Sequence, residues 1–248
     1  RSIITAHSGN TLSYNFQTDY EPNNGFGYFI QNDIRTLDKI GEWYFNSATK
    51  TVSLFYGSQT PPPTIDIATI TSLENLNFKG SNGNLLEFGN QQNALVKNCA
   101  LKFAGIDAVY GYSLINFTIQ NSTVNNANNN GIYMEYNCKF TNVIYDTIKN
   151  IGLFIGMGDA IHYNTFAGIS VSGSGANASI NTTIQGNVID SIGYNGIAFI
   201  GDNALVKNNF VSNFCMSKDD GGGIYCHRGF ANTYNFSGQK IEGNIVLD

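Results

Sequence analysis

The stretch "ALVKNCAL", Ala94 to Leu101, returns almost letter for letter as "ALVKNNFV", Ala204 to Val211. The same pattern recurs as "FTIQNSTV" from Phe117, "FTNVIYDT" from Phe140, "TTIQGNVI" from Thr182 and "KIEGNIVL" from Lys240. Aligned on Val96, Ile119, Val143, Ile184, Val206 and Ile241, the copies stand 23, 24, 41, 22 and 35 residues apart. A period near 23 with lengthened steps signals stacked repeats that carry insertions, each unit burying its apolar side chains only against its neighbours.

A second phrase runs in phase with the first. It reads "NLLEFGN" from Asn84, "GIDAVYG" from Gly105, "NGIYMEYN" from Asn130, "IGLFIGMG" from Ile151, "NGIAFIGD" from Asn195 and "GGIYCHRG" from Gly222. Each is a short alternating run opened by Gly or Asn, the pattern of a strand with one set of side chains in and the other out. Two strand phrases per period, Asn/Gly corners and no helical periodicity predict an all-β fold, a right-handed parallel β-helix with coils of about 23 residues. The pairs "KN", "QN" and "GN" share one register and predict a ladder of stacked asparagines. An antiparallel sandwich is the competing arrangement; the fixed period and the lack of hairpin dipeptides weigh against it.

Residues 1–64 read differently. "GEWYFNSATKTVSLFYG", Gly41 to Gly57, alternates on both sides of "NSATK", with Trp43 as a hairpin anchor, and predicts a β-hairpin excursion within the same domain. "TPPPT", Thr60 to Thr64, is a stiff connector, and the coils are expected over 65–248.

Composition narrows the partners. Charged residues are 12% of the chain, about half the usual share, while Asn numbers 35 and Gly 27. The net charge of −5 and the lack of a basic stripe argue against nucleic acid. No run of 18 apolar residues exists to predict a membrane span. The chain opens on "RSIITAHSGN" and closes on "EGNIVLD" in strand-like sequence, which reads as a piece of a longer secreted chain or surface assembly. Cys99, Cys138, Cys215 and Cys226 fit no zinc spacing and lie in apolar strand-like contexts, so they read as free and buried; a Cys215–Cys226 disulfide is the alternative.

Charge gathers in one place, "SKDDGGGIYCHRGF", Ser217 to Phe230. Taking Ile224 and Cys226 as inward sends Tyr225 and His227 out. The same phase sends Tyr133, Glu135, Glu87 and Asp107 out. The outer face is then expected to carry Glu87, Val109, Glu135, Gly156, Ile200 and His227 in one row. Leu85, Asp107, Tyr133, Phe154, Ala198 and Tyr225 form the next. Aromatic faces and carboxylates repeating at about 4.8 Å suit a sugar chain. Tyr225, His227, Arg228, Tyr133, Glu135 and Asp202 are the candidate substrate contacts. Asp159 and Asp202 follow their strands toward the same edge, and His162 opens an insertion, 158 to about 178, that reads as a cleft wall or a surface loop. "DDGGG" itself reads either as a catalytic corner or as a turn, its glycines bending the backbone, with calcium ligation by Asp219 and Asp220 a further reading; no other metal or cofactor is expected.

Two stretches carry a resemblance. "GYFIQNDIRTLDKIGEWYFNSATKTVSLFYG", Gly27 to Gly57, resembles a segment of many bacterial right-handed parallel β-helix proteins, most of them carbohydrate-active, and the later coils resemble pectate-lyase-like repeats. "DGGGIY", Asp220 to Tyr225, resembles the "DGGaIY" phrase of β-helical glycoside hydrolases such as the α-galactosidase and β-xylosidase families, with a third Gly where a small residue such as Ala often sits. The resemblance implies that Asp220, with Asp219 beside it, is catalytic. The expectation is a secreted or bacterial cell-surface glycoside hydrolase that acts on a polysaccharide with a pair of carboxyls. Two alternatives stand: a non-catalytic adhesin or structural module, and a polysaccharide lyase using Lys218 and Arg228 against the uronate charge.

Overall fold

The structure, a computed structural model, describes residues 3–15, 33–39, 42–46, 48–49, 51–54, 71–157, 166–173, 175–226 and 237–248. The chain divides into two compact units, Arg1–Pro63 and Thr64–Asp248.

Unit two is a parallel β-helix of three sheets. The first sheet holds Leu86–Gly89, Val109–Tyr112, Ile132–Met134, Ile169–Val171, Ile197–Phe199 and Ile224–Cys226. The second holds Ser72–Glu74, Leu95–Lys97, Thr118–Gln120, Asn142–Ile144, Thr183–Gln185, Leu205–Lys207 and Lys240–Glu242. The third holds Asn77–Lys79, Ala100–Ala104, Thr123–Ala127, Thr147–Ile151, Val188–Ile192, Phe210–Ser212 and Ile245–Leu247. The predicted register holds: Leu73, Val96, Ile119, Val143, Ile184, Val206 and Ile241 stand one above another. Leu73 adds a coil ahead of those the repeat phrases mark. The five central members have 0% exposure, whereas Ile241 at one end is 55% exposed, because each coil is sealed only by the next. Burying such a Val or Ile stabilises by about 1.5–3 kcal/mol.

Corners decide where each strand stops. Between the second and third sheets the column Asn75, Asn98, Asn121, Tyr145, Gly186, Asn208 and Gly243 lies in the left-handed region, φ 53–68°. Asn and Gly tolerate that conformation best. The residue that follows points inward and forms the polar ladder. The backbone N–H groups of Cys99, Ser122, Asp146, Asn187 and Asn209 donate to Ser122 Oγ, Asp146 Oδ1, Asn187 Oδ1, Asn209 Oδ1 and Asn244 Oδ1, at 3.1, 2.7, 2.8, 3.0 and 2.9 Å. The predicted ladder therefore divides between two positions, the Asn of "GN", Asn187 and Asn244, being itself a rung. The Asn of "KN" and "QN" takes the corner and is exposed, and the following residue is the rung.

Three readings of phase are corrected. Val109 is inward with 0% exposure, and Asp107 is buried rather than outward, its Oδ1 accepting from Asn129 Nδ2 at 2.8 Å and from the Asn130 N–H at 2.9 Å. "IGLFIGMG" forms no first-sheet strand: Gly152 and Gly156 take φ 64° and 84°, and Phe154 and Ile155 are exposed in a turn. The strand in that coil is Ile169–Val171, inside the stretch read as a loop. It fits because Gly168 precedes it in a column with Gly131, Gly196 and Gly223, where a Cβ on Gly131, Gly168 or Gly196 would meet the next glycine's carbonyl oxygen at 2.5–2.6 Å. Asp159 and His162 lie outside the described residues. All four cysteines are free, with Cys99 and Cys138 buried; Cys226 is exposed, since among the described residues its strand is the last of the first sheet.

Unit one contains the expected hairpin, Trp43–Asn46 antiparallel to Thr51–Leu54, and a second one pairing Ile3–Ser8 with Thr11–Asn15. The "TPPPT" connector lies outside the described residues. No helix is long and apolar enough to cross a membrane among the described residues.

Asp146 is the odd rung. Asn187, Asn209 and Asn244 each use Nδ2 to donate, at 2.9 Å, to the carbonyl of Val143, Ile184 and Val206 in the preceding coil. By register the matching carbonyl for Asp146 is that of Ile119. Asp146 is 1% exposed, and its Oδ2 has no hydrogen-bond partner among the described residues unless it carries a proton. Burial pushes this carboxyl from 3.8 up to about 7, against the pull of the backbone N–H bonds. Between those values the folded chain holds one proton more than the unfolded chain. Its contribution is therefore complete below about pH 4 and lost as pH rises to about 7, by up to ~1.4 kcal/mol per pH unit. The urea midpoint of the wild type is expected to fall across that window relative to Asp146→Asn, whose amide supplies the missing donor at every pH. Parallel pH profiles for the two proteins would refute the protonated rung.

Candidate functional site

The outer face of the first sheet is set by its register. Glu87, Tyr110, Tyr133, Ser170, Ala198 and Tyr225 form one outward column. Tyr133, Ala198 and Tyr225 share a column as expected, whereas Leu85, Asp107 and Phe154 give way to Glu87, Tyr110 and Ser170. At steps of about 4.8 Å, Tyr225 stands roughly 14 Å from Tyr133, with the small side chains of Ser170 and Ala198 between them.

At the other half of the column Tyr110 and Tyr133 are joined by Tyr112 and Tyr136 from beside it. Tyr110 contacts Tyr112 and Tyr133, and Tyr112 contacts Tyr136, each pair with ring centroids 5.8 Å apart. The ring planes are tilted by 34–47°, at separations typical of interacting aromatic pairs. Tyr136 is exposed, Tyr110 and Tyr112 are half-buried, and Tyr133 is only 8% exposed beneath its neighbours. Glu135 follows its strand onto this face, half-buried, and its carboxylate accepts a hydrogen bond from the Tyr110 hydroxyl. Burial, then the Glu135 bond and charge, holds the Tyr110 hydroxyl far above the usual phenol range; burial also raises Tyr133. Glu87, at the open end of the column, is exposed and accepts from Asn84 Nδ2 at 3.2 Å.

A second cluster forms at the corner that leads into the first sheet, where two insertions meet. Ser217 Oγ donates to the Gly152 carbonyl at 2.8 Å, and the Ser217 and Lys218 N–H groups both donate to the Gly193 carbonyl. The Lys218 ammonium lies 4.6 Å from the Phe166 ring centroid and 5.4 Å from that of Tyr194. Desolvation lowers the Lys218 pKa, as expected of an ammonium seated on two rings. The Tyr194 hydroxyl donates to the Asp220 carbonyl at 3.0 Å, and its own pKa is raised by burial and then by Tyr225, Asp220, Cys215 and Asp219. The carboxylates of Asp219 and Asp220 are exposed and make no hydrogen bond or ion pair to a described residue. The backbone bend sits at Asp220, φ 59°, and the glycines serve close approach instead: a Cβ on Gly221 would meet Cys215 Sγ at 2.7 Å, and one on Gly223 would meet Val246 Cγ1 at 2.4 Å.

The remaining sequence candidates do not join either cluster. Asp202 follows its first-sheet strand, at the opposite end from Asp219 and Asp220, and its Oδ1 accepts the Ser237 N–H at 2.8 Å. His227 and Arg228 lie outside the described residues. No group of three or more His, Cys, Asp or Glu side chains is placed to hold a metal ion among the described residues. Sequence reasoning missed Tyr110, Tyr112, Tyr136, Phe166 and Tyr194. The signal for Tyr110 and Tyr112 was present in the alternation of "AVYGY", Ala108 to Tyr112, three residues beyond the phase assumed for that coil. Nothing local marks Phe166 or Tyr194, which meet Lys218 only across coils.

No protein-family model and no curated sequence matches the chain. Among solved structures it is similar to the A-module of the mannuronan C-5 epimerase AlgE6 of Azotobacter vinelandii, at 13% identity and a TM-score of 0.39, over 62% of this chain and 45% of that module. The chain thus spans less than half the length of that neighbour.

The Tyr110–Glu135 bond makes a direct stability prediction. Tyr110→Phe keeps the ring and deletes the donor, and is expected to cost about 1 kcal/mol in urea unfolding, with no such loss in the Glu135→Ala background. Equal losses in both backgrounds would show that the bond is not the source.

Proposed function

We propose that this chain binds a polysaccharide along the outer face of its first sheet and acts outside the cell, secreted or at the cell surface. The observation that carries the reading is the tyrosine cluster beside Glu135. Amphipathic rings offer flat C–H-binding surface and hydroxyls, and a carboxylate set among them accepts from sugar hydroxyls. The column runs parallel to the helix axis, so a chain molecule lying along it meets one coil after another. The part of these rings left in water, chiefly Tyr136, is apolar surface that a glycan face can cover.

A second reading, glycoside hydrolysis at Asp219 and Asp220, is favoured by one observation. Both carboxylates stand in solvent near Tyr194 with no hydrogen bond or ion pair to a described residue. Hydrolysis needs two carboxyls about 5–9.5 Å apart, one donating a proton to the leaving oxygen. Lys218 gives the lyase alternative a cation at the same corner, although its ammonium already faces two rings.

Binding is expected to appear as retarded migration in gels containing soluble polysaccharide, and Tyr110→Ala with Tyr112→Ala is expected to weaken it on the order of ten-fold while the fold persists. Unchanged retardation would end the binding reading. New reducing ends that vanish in Asp220→Asn would establish hydrolysis, and an unsaturated, ultraviolet-absorbing product would establish a lyase. Silence from the wild type on every glycan leaves a binding module without catalysis.

A further inference from the structure

The corners on either side of the second sheet follow a strict rule with two exceptions on one coil. The corner entering the sheet reads Asn93, Asn116, Phe140, Asn181, Asn203 and Gly238, all in the left-handed region with φ 56–71°. The corner leaving it reads Asn75, Asn98, Asn121, Tyr145, Gly186, Asn208 and Gly243. Phe140 and Tyr145 therefore hold, at φ 59° each, a conformation that is unfavourable for bulky side chains and that every neighbouring coil assigns to Asn or Gly. They flank the same strand, Asn142–Ile144.

The exceptions also forfeit contacts. Corner asparagines bond along the stack, Asn116 Nδ2 to Asn93 Oδ1 at 2.7 Å, Asn203 Nδ2 to Asn181 Oδ1 at 3.1 Å and Asn98 Nδ2 to Asn75 Oδ1 at 3.2 Å. Phe140 stands between Asn116 and Asn181 and cannot continue that row. Both rings remain in water, Phe140 52% and Tyr145 56% exposed. Folding stability thus gains nothing evident from either ring. Tyr145 is nonetheless held in place: its hydroxyl accepts from Gln185 Nε2 at 3.1 Å, and its ring lies where a Cβ on Gly186 would come within 2.4 Å.

Between the two rings lies an uncharged floor. The outward side chains of three adjacent strands are Thr118 and Gln120, Asn142 and Ile144, and Thr183 and Gln185. Along the Gln120 column, charge returns only at Lys97 and Lys207, one coil beyond on each side. Amides and hydroxyls bond sugar hydroxyls in either sense, and the rings offer flat apolar plates at the two edges. An anionic chain would find no cation on this floor, and an apolar partner would bury its amides without bonds.

We propose that this face of the second sheet is a binding site for a neutral polysaccharide, gripped between Phe140 and Tyr145 over the Thr118–Asn142–Thr183 floor. It is separate from the first-sheet site and does not depend on it. The site places a neutral glycan across the coils on a sheet that carries none of the candidate catalytic groups, which is an anchoring role.

The test exploits the corner rule. Phe140→Asn with Tyr145→Asn installs the residue the other coils use, so the double variant is expected to be at least as stable as the wild type in urea. Retardation of the intact chain in gels containing neutral galactomannan or a soluble β-glucan is expected to weaken on the order of ten-fold in this variant, and by a similar factor when the two substitutions are added to Tyr110→Ala with Tyr112→Ala. The proposal is overturned if the double Asn variant binds as the wild type does, or if only polygalacturonate retards the chain. It is equally overturned if the variant is markedly less stable, which would make the rings structural. Concentration-dependent self-association that the variant abolishes would make the face an interface between copies, and would overturn it too.

Discussion

Each coil of this helix buries a backbone N–H at the corner between its second and third sheets, and the side chain of the following coil must accept it. A buried N–H left without an acceptor costs about as much as the coil gains from several buried methylenes. The chain of acceptors from Ser122 through Asp146, Asn187 and Asn209 to Asn244 is therefore what allows seven apolar side chains to stand in register. Register in turn fixes which residues face out, and every functional argument about the surface depends on that phase.

The corner rule also explains where this protein departs from uniformity. A left-handed residue between two strands is cheap when it is Asn or Gly, and the stack uses little else at the corners flanking the second sheet. Departures then stand out against their own neighbours: an acid among amides at Asp146, rings among amides at Phe140 and Tyr145. Insertions are confined in a similar way. Two of them, before Ile169–Val171 and before Ile224–Cys226, enter at the same corner and pack on each other through Ser217, Lys218 and Phe166. A corner can accept extra residues because it lies outside the stacked strands, so loops gather there and bring side chains from separate coils together.

Much of this was legible in the sequence. The spacing of Val96, Ile119, Val143, Ile184, Val206 and Ile241 predicts the fold and the register of the second sheet residue for residue, because a period of inward side chains must match the height of a coil. Phase along the first sheet was harder. "GIDAVYGY" and "IGLFIGMG" alternate in more than one way, and alternation alone does not say which residue begins the strand. The correct phase needs the corner before it, where Asp107 turns inward to bond Asn129 and Asn130. Tyr110 and Tyr112 were hidden by that slip, and Phe154 was placed on a sheet it never joins.

The sequence by itself determined the solenoid, the length of its coils and the columns of its second sheet, since these follow from a local pattern repeated at one period. Only the tertiary structure decided which side chains meet between coils: Tyr110 with Glu135, Lys218 with Phe166 and Tyr194, Tyr145 with Gly186 and Gln185. Those pairs are 25 or more residues apart in every case but one, and no local rule of composition reports a contact made by stacking. The two aspartates show the same division. Asp219 and Asp220 are conspicuous in the chain as charge beside glycine. Their place at a corner, open to solvent above Tyr194, is a property of the stack.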